Sequence, residues 1–136
     1  MAGPAAQRPL ELILARNLLS SLSTPGLLVN APGDVVFYND AAGSVLGKRF
    51  EETGALSAND WVCTFGPFDE SGEPIPIERQ PLTPALRANR PGHAVQRIRS
   101  ATGAESTIEV SGLPIVGGDG FKGAMIFFWA HYGEDG

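Results

Sequence analysis

The sequence contains a single cysteine and few histidines, which argues against two classes of site. Cys63 alone cannot form a disulfide within the chain, and this fits a reducing compartment such as the cytoplasm. His93 and His131 are the only histidines, whereas a structural metal site usually takes four ligands. We therefore expect a cytoplasmic protein without a metal centre.

Long apolar runs and an excess of positive charge are also missing. No run approaches the roughly 20 apolar residues of a membrane span, and residues 1–10, MAGPAAQRPL, lack the apolar segment of a signal peptide. Ten basic residues stand against fifteen acidic ones, so the net charge is −5 and the average field repels a polyanion. We expect neither a membrane nor a nucleic acid as a partner.

What the sequence does contain suits one globular domain. Of its 136 residues, 43% are hydrophobic and 18% are charged, which is enough apolar surface for a core. Seventeen glycines and eleven prolines indicate many turns between short elements. We divide the chain into a flexible tail over residues 1–9, a capping or dimerisation helix over 10–23, and a domain over 24–132.

The stretch LELILARNLLSSL, residues 10–22, predicts a helix. Apolar residues recur there at helical spacing, at Ala15, Leu18, Leu19 and Leu22. A helix this apolar must be covered on most of its circumference.

The next stretch, GLLVNAPGDVVFY, predicts a hairpin with a tight turn. Pro32 and Gly33 suit the two central positions of a type II turn, because proline presets φ and glycine tolerates positive φ. After the hairpin, Asn39 or Asp40 can cap a short helix, and Gly47 suits its left-handed C-cap.

The remainder predicts one more helix and a strand-rich end. Thr83 and Pro84 suit the N-cap and first position of a helix that ends near Asn89. Alternating or continuous apolar patterns predict strands over residues 94–100, 106–112 and 121–130. Connections of hairpin length imply an antiparallel sheet, and the order of elements predicts an α+β domain with five strands.

This order of elements, with FYNDAAGSVLG in its second segment, resembles the PAS domain family of bacterial sensory modules. The matching positions in that segment are Phe37, Asn39, Ala41, Ala42, Leu46 and Gly47. The stretch DESGEPIPIERQPLTPAL and the three closing strands extend the resemblance over about residues 10–130. The resemblance implies a five-stranded antiparallel sheet with short helices on one face and the N-terminal helix on the other. The curled sheet would enclose a cavity.

Strand alternation and the family's pattern together predict which side chains face that cavity. They are Leu28, Asn30, Val35, Phe37, Leu46, Gln96, Ile98, Ile108, Val110, Ala124, Ile126 and Phe128. These side chains either pack as a filled core or surround a small ligand. The inward Asn30 and Gln96 favour a ligand, because a sealed core leaves polar groups without partners unless the backbone bonds them.

The resemblance also raises haem and flavin as cofactors, and the residues argue against both. The flavin photosensors of this superfamily carry an Asn-Cys-Arg-Phe-Leu motif, whereas Cys63 lies in WVCTF and is interpreted as a small buried hydrophobe. Haem-binding members place a histidine on the long helix, whereas His93 follows Pro91 and Gly92 in a predicted loop. We expect no cofactor.

Catalytic interpretations are weaker still. A dyad of Cys63 and His93 has no local signature, and the GGDG of residues 117–120 lacks the lysine and helix of a phosphate loop. We expect that the protein is not an enzyme.

The last strand predicts an interface on the outer face of the sheet. Its outward side chains, Met125, Phe127 and Trp129, are too apolar to stay in water. The helix leucines Leu14, Leu18, Leu19 and Leu22 would cover them, either within one chain or across a homodimer. The homodimer is the preferred prediction, and a monomer with the helix folded back is the alternative.

These observations predict a cytoplasmic sensory module of the PAS type. It would bind a small, mostly apolar ligand noncovalently and signal through its dimer interface to a signalling protein. The alternative is a ligand-free module for dimerisation or protein docking, and a small cavity enzyme is a third, weaker possibility.

Overall fold

The computed structural model describes residues 10–131 and has the predicted α+β architecture. One antiparallel sheet has the strand order β2-β1-β5-β4-β3. Its strands are β1 Gly26–Asn30, β2 Val35–Tyr38, β3 Gly92–Arg99, β4 Glu105–Gly117 and β5 Gly120–Ala130. The predicted tail, residues 1–9, lies outside the described residues, as does Tyr132 at the end of the predicted domain.

Within the described residues, five α-helices cover the two faces of this sheet, and a short 3-10 helix, Ile77–Arg79, precedes the last of them. They are α1 Leu10–Ser20, α2 Asp40–Leu46, α3 Phe50–Thr53, α4 Ala58–Thr64 and α5 Leu82–Arg87. Side chains of α2, α4 and α5 share the larger core with the inner face of the sheet. Side chains of α1 form a second core with the outer face. The predicted placement of short helices and N-terminal helix on opposite faces is thus confirmed.

The helix after the hairpin has the predicted caps, whereas the turn of the hairpin lies one residue earlier than predicted. The Gly33 N–H donates to the Asn30 carbonyl at 3.0 Å, so Ala31 and Pro32 are the central residues and the predicted type II turn over Pro32 and Gly33 is wrong. Gly33 follows them with a positive φ of 106°. Asn39 is the N-cap of α2 and accepts a hydrogen bond from the Ala42 N–H. Gly47 ends the helix in the left-handed conformation, with a φ of 80°.

Asn39 is buried, and its side chain joins three segments of the fold. Its Oδ1 accepts from the N–H of Gly26 at 3.1 Å and of Ala42 at 3.0 Å. Its Nδ2 donates to the carbonyls of Leu19 at 3.0 Å and Thr24 at 2.9 Å. Because the amide has two donor hydrogens and two acceptor lone pairs, its capacity is fully used. This one side chain therefore joins the end of α1, the start of β1 and the first turn of α2.

A β-bulge in the first hairpin overturns part of the predicted inward face. Leu28 pairs with Phe37, but the next pair is Val29 with Val35, so β2 carries one extra residue. Val35 therefore faces the larger core, whereas Phe37, of the same parity, faces α1. Leu28 also lies on the α1 face, so the inward positions predicted for Leu28 and Phe37 are wrong.

Helix α1 covers the outer face with fewer leucines than predicted. Leu12, Ala15 and Leu19 are buried against the sheet, and the guanidinium of Arg16 lies 4.4 Å from the centre of the Phe37 ring. Three predicted covering residues, Leu14, Leu18 and Leu22, are exposed. The helix covers its own sheet with one narrow stripe and leaves a second apolar stripe open.

Several element boundaries also differ from the prediction. Helices α3 and α4 lie in a segment for which no helix was predicted. Helix α5 begins one residue before Thr83, and the Thr83 hydroxyl donates to the Ile77 carbonyl at 2.6 Å instead of capping the helix. His93 belongs to β3 and not to a loop.

We expect Asn39→Ala to lower the free energy of unfolding by about 3 kcal/mol, because it leaves buried backbone groups without partners. Asn39→Asp keeps the helix cap but loses both donors, so it should fall between wild type and Asn39→Ala. Urea denaturation measures both changes. Asn17→Ala, at an exposed position of α1, is the control and should stay within about 0.5 kcal/mol of wild type. Equal stability of Asn39→Ala and Asn17→Ala would contradict the role given to Asn39.

Candidate functional site

A cavity of about 130 Å³ lies between the inner face of the sheet and the helices. Strand residues contribute one side of it: Leu27, Val29, Val35, Gln96, Ile98, Ile108, Val110, Ile126 and Phe128. Helices and loops contribute the other: Leu46, Ala58, Trp61, Val62, Phe65, Pro67, Ile77, Gln80, Leu82, Thr83 and Leu86, with the backbone of Gly33 and Gly66. No charged residue lines the cavity within the described part of the chain.

Helix α5 is held close to the sheet at one end of this cavity. Gly92 and Gly112 are paired across β3 and β4. A Cβ at Gly92 would lie 2.7 Å from Leu82, and a Cβ at Gly112 would lie 3.1 Å from Leu86. The two glycines thus allow α5 to approach, and the cavity lies beyond this contact.

Gln96 is the polar residue that stands out in the cavity lining. Its Nε2 atom is buried and has no hydrogen-bond partner among the described residues. The other two polar side chains have backbone partners: Gln80 donates to the Ile75 carbonyl at 2.9 Å, and Thr83 donates to the Ile77 carbonyl. A buried donor without a partner is uncommon and destabilising. Gln96 is therefore a residue of the cavity lining whose buried donor has no partner among the described residues.

The structure brings together eight of the side chains predicted to line a cavity. They are Val35, Leu46, Gln96, Ile98, Ile108, Val110, Ile126 and Phe128. Leu28 and Phe37 lie on the other face of the sheet. Asn30 and Ala124 line a smaller adjoining space, and Asn30 is engaged in the hairpin turn, where its Oδ1 accepts from the N–H groups of Gly33 and Asp34.

The lining residues that the prediction missed come mainly from α4 and the segment before α5. Trp61 and Phe65 lie in the apolar stretch WVCTF, which was a signal for a buried element. Ile77 and Gln80 had no such signal, because their stretch alternates proline with apolar residues. Their placement depends on a loop path that spacing alone does not predict.

The cavity is large enough for a small ligand, and its lining is mostly apolar. A dry cavity of about 150 Å³ in another protein binds benzene, so the space here suits a ligand with an apolar body of that order. The two candidate cofactor residues lie elsewhere. His93 lies on the outer face, 3.3 Å from Glu109. Cys63 is exposed, so its interpretation as a buried hydrophobe is wrong.

Aromatic rings connect the wall of this cavity to the helix on the other face. The ring of Trp61 packs on Phe65 at 4.8 Å and on Tyr38 at 5.9 Å. Phe50 packs edge-on against both Tyr38 and Phe37, at 5.4 Å each. Phe37 in turn contacts the guanidinium of Arg16 in α1. Because Tyr38 and Phe37 lie on opposite faces of the edge strand β2, the row of rings passes around this edge of the sheet.

Tyr38 is the polar member of this row. Its hydroxyl donates to the Lys48 carbonyl at 2.7 Å and accepts from the Thr53 hydroxyl at 3.3 Å. Burial raises the pKa of the Tyr38 phenol above its ordinary value, although the hydrogen bond from Thr53 lowers it. The phenol therefore stays protonated and fixes the ring in position.

The residues of the predicted dimer interface lie in two environments. Leu19 is buried under its own sheet, and Met125 and Phe127 are partly buried with it. Trp129 is 41% exposed and lies beside His93, not under α1, so its predicted cover is wrong for the single chain. Leu14, Leu18 and Leu22 face solvent as described above.

Comparison with known proteins bears on the fold. No protein-family profile and no curated protein sequence matches the chain. The PAS domain of a protein from Colwellia psychrerythraea is 14% identical, with a TM-score of 0.64 over 88% of this chain and 97% of that one. A PAS domain from a two-component sensor histidine kinase is 14% identical, with a TM-score of 0.61 over 90% and 97% of the two chains.

A light-oxygen-voltage protein of Rhodobacter sphaeroides has a TM-score of 0.71 at 16% identity, over 94% of this chain and 71% of that one. Identities this low establish the fold alone. The comparisons confirm the PAS fold that the sequence predicts.

We expect Gln96→Leu to raise the free energy of unfolding of the ligand-free protein by about 1 kcal/mol, because it removes a buried donor without a partner. Gln80→Leu is the matched control. It should lower stability, because the Ile75 carbonyl loses its donor. Urea denaturation of both variants measures the difference. The assignment of Gln96 is contradicted if the two variants are destabilised equally.

Proposed function

We propose that this chain, whose fold is that of a PAS domain, is a sensory module of the bacterial cytoplasm. It binds a small, mostly apolar ligand noncovalently and acts as a binding module, not as an enzyme. It passes the binding event to a signalling protein through a homodimer interface. The observation that carries the proposal is the apolar cavity with the unpartnered amide of Gln96 in its lining.

The cavity and the amide support ligand binding for the same reason. Unfilled space loses dispersion contacts, and a buried donor without a partner loses a hydrogen bond. A ligand with an apolar body and one hydrogen-bond acceptor supplies both. Each Å² of apolar ligand surface that is removed from water contributes about 25 cal/mol to the free energy of binding.

The path from cavity to interface is short. Successive residues of β1 point to opposite faces, so Leu27 lines the cavity while Leu28 contacts the α1 core. Asn39 joins the same strand to α1 and α2, and Leu46 of α2 lines the cavity. A ligand that prefers one arrangement of this wall shifts the population of α1 positions by its differential affinity.

The exposed stripe of α1 supports the homodimer. Leu14 is 58% exposed and Leu18 is 49% exposed, and the two lie one helical turn apart. Leu10, Ile13 and Leu22 are exposed beside them. A second copy of the chain would bury this stripe and the exposed Trp129 in a twofold interface.

A second candidate function is a ligand-free module for dimerisation or docking. The same exposed stripe of α1 favours it, because the stripe needs a partner whether or not the cavity is occupied. The cavity is also small beside the 300–1,000 Å³ of most ligand sites. The two functions differ in one measurable respect, which is the content of the cavity.

We expect the gently purified protein to carry a small added mass in native mass spectrometry, and to lose it on unfolding. Val110→Phe should abolish the added mass, because Val110 is buried and lines the cavity. Val45→Phe, at an exposed position of α2, is the control and should retain it. Circular dichroism shows whether both variants are folded.

Benzene serves as a second probe, since its size suits the cavity and a bound ligand raises the unfolding temperature. A wild-type protein with no added mass and no stabilisation by benzene contradicts the sensory proposal and leaves the docking function.

We expect the double variant Leu14→Glu, Leu18→Glu to weaken dimerisation by about tenfold or more, because charges replace apolar contacts at the interface. Both positions are exposed in the single chain, so its stability should change little. Sedimentation equilibrium measures the dissociation constant. Ser44→Glu, at an exposed position of α2 and outside this stripe, controls for added charge. A wild-type monomer at every concentration, or an unaffected double variant, contradicts this interface.

A further inference from the structure

Phe50 of α3 is the one hydrophobic side chain that packs against both cores of the described part of the chain. Every other member of either core belongs to that core alone. Phe50 contacts Phe37 and Tyr38, which are neighbours in the edge strand β2 and point to opposite faces of the sheet. The connection that Phe50 makes between the cores therefore passes around the edge of the sheet and not through a strand.

The contacts of the Phe50 ring depend on its orientation. The ring meets Tyr38 at 5.4 Å with an interplanar angle of 81°, and Phe37 at 5.4 Å with an angle of 66°. Edge-to-face pairs of this kind stabilise beyond the area that they bury, through the geometry of the two rings. On the outer face, the Arg16 guanidinium lies 4.4 Å from the centre of the Phe37 ring and 5.8 Å from that of Phe50. A turn of the Phe50 ring therefore changes contacts in both cores.

Two hydrogen bonds hold the segment that carries Phe50 against Tyr38. The Tyr38 hydroxyl donates to the Lys48 carbonyl at 2.7 Å, two residues before Phe50. The same hydroxyl accepts from the Thr53 hydroxyl at 3.3 Å, three residues after Phe50. Because the chain is tied to Tyr38 on both sides of Phe50, a displacement of Tyr38 carries the Phe50 ring with it.

Trp61 connects this arrangement to the cavity. Trp61 lines the cavity, and its ring packs on Tyr38 at 5.9 Å with an interplanar angle of 65°. Contacts thus run from Trp61 in the cavity wall through Tyr38, Phe50 and Phe37 to Arg16 of α1. A change in the position of Trp61 alters the contacts of Tyr38 and, through them, those of Phe50.

We infer that Phe50 is the positioning residue that couples the cavity wall to α1 around the edge of the sheet. This route is separate from the one through β1 and Asn39. Its use in signalling rests on the proposed function, because it then carries the occupancy of the cavity to the helix with the exposed leucines. The coupling itself belongs to the ligand-free protein and can be measured without a ligand.

Double-mutant cycles test the coupling, with urea denaturation of the ligand-free protein at one protein concentration as the measurement. Arg16→Gln and Trp61→Phe, at the two ends of the row, are made singly and together. We expect their combined effect on the unfolding equilibrium constant to differ about threefold from the product of the single effects. In a Phe50→Leu background, which keeps an apolar side chain but no ring, the two effects should multiply. Phe50→Tyr keeps the ring and should keep the threefold difference.

Arg16→Gln with Val110→Ala is the matched control cycle, because Val110 lines the cavity but lies outside the row of rings. Its two effects should multiply in every background. Circular dichroism shows whether each background is folded, and Phe50→Met provides a second one without a ring.

Three outcomes overturn the inference. They are multiplicative effects of Arg16→Gln and Trp61→Phe in the wild type, a deviation that persists without the ring, and an equal deviation in the control cycle. None of them bears on ligand binding, which native mass spectrometry and benzene test separately. If those two measurements find no occupant, the sensory proposal falls, and the cycles still decide whether Phe50 couples the two cores.

Discussion

The fold depends on a sheet whose central strands are apolar on both faces. In β1 and β5, neighbouring residues alternate between the cavity and the core beneath α1: Leu27 with Leu28, and Ile126 with Met125. Each strand is only one backbone thick, so the cavity and the N-terminal helix share a single wall. Any movement of the wall on one side changes the surface that the other side packs against. The packing on the cavity face and the packing under α1 are therefore connected through the strands themselves, because each strand contributes side chains to both.

Asn39 determines how that wall is anchored. The ends of α1, β1 and α2 could each satisfy their own backbone groups with water. Here one buried amide satisfies groups from all three, with four hydrogen bonds between 2.9 and 3.1 Å. The helix that borders the cavity and the helix that carries the exposed leucines therefore have a common fixed point. A rotation of α1 has to pivot about this residue or break its bonds.

Much of this architecture could be predicted from the sequence, because its signals are local. The cap at Asn39 and the left-handed end at Gly47 each depend on the chemistry of one residue. The faces of the second half of β5 were also predictable, since alternation runs from Ala124 to Phe128 without interruption. The faces of the first hairpin were not. The bulge beside Leu28 moves Phe37 to the other face, and a continuous apolar run gives no sign of where a bulge lies.

The cavity was only partly predictable for a related reason. Its strand side follows from alternation, but its helical side depends on how the segment between Gly47 and Leu82 folds over the sheet. The side chains there that do line the cavity include Val62 and Ala58, where larger apolar groups would fill the space. Small side chains leave a void, and Gln96 in its lining has a buried donor without a partner among the described residues. Each of these features destabilises the empty protein. Under the proposed function, a ligand with an apolar body and an acceptor would compensate for both features at once.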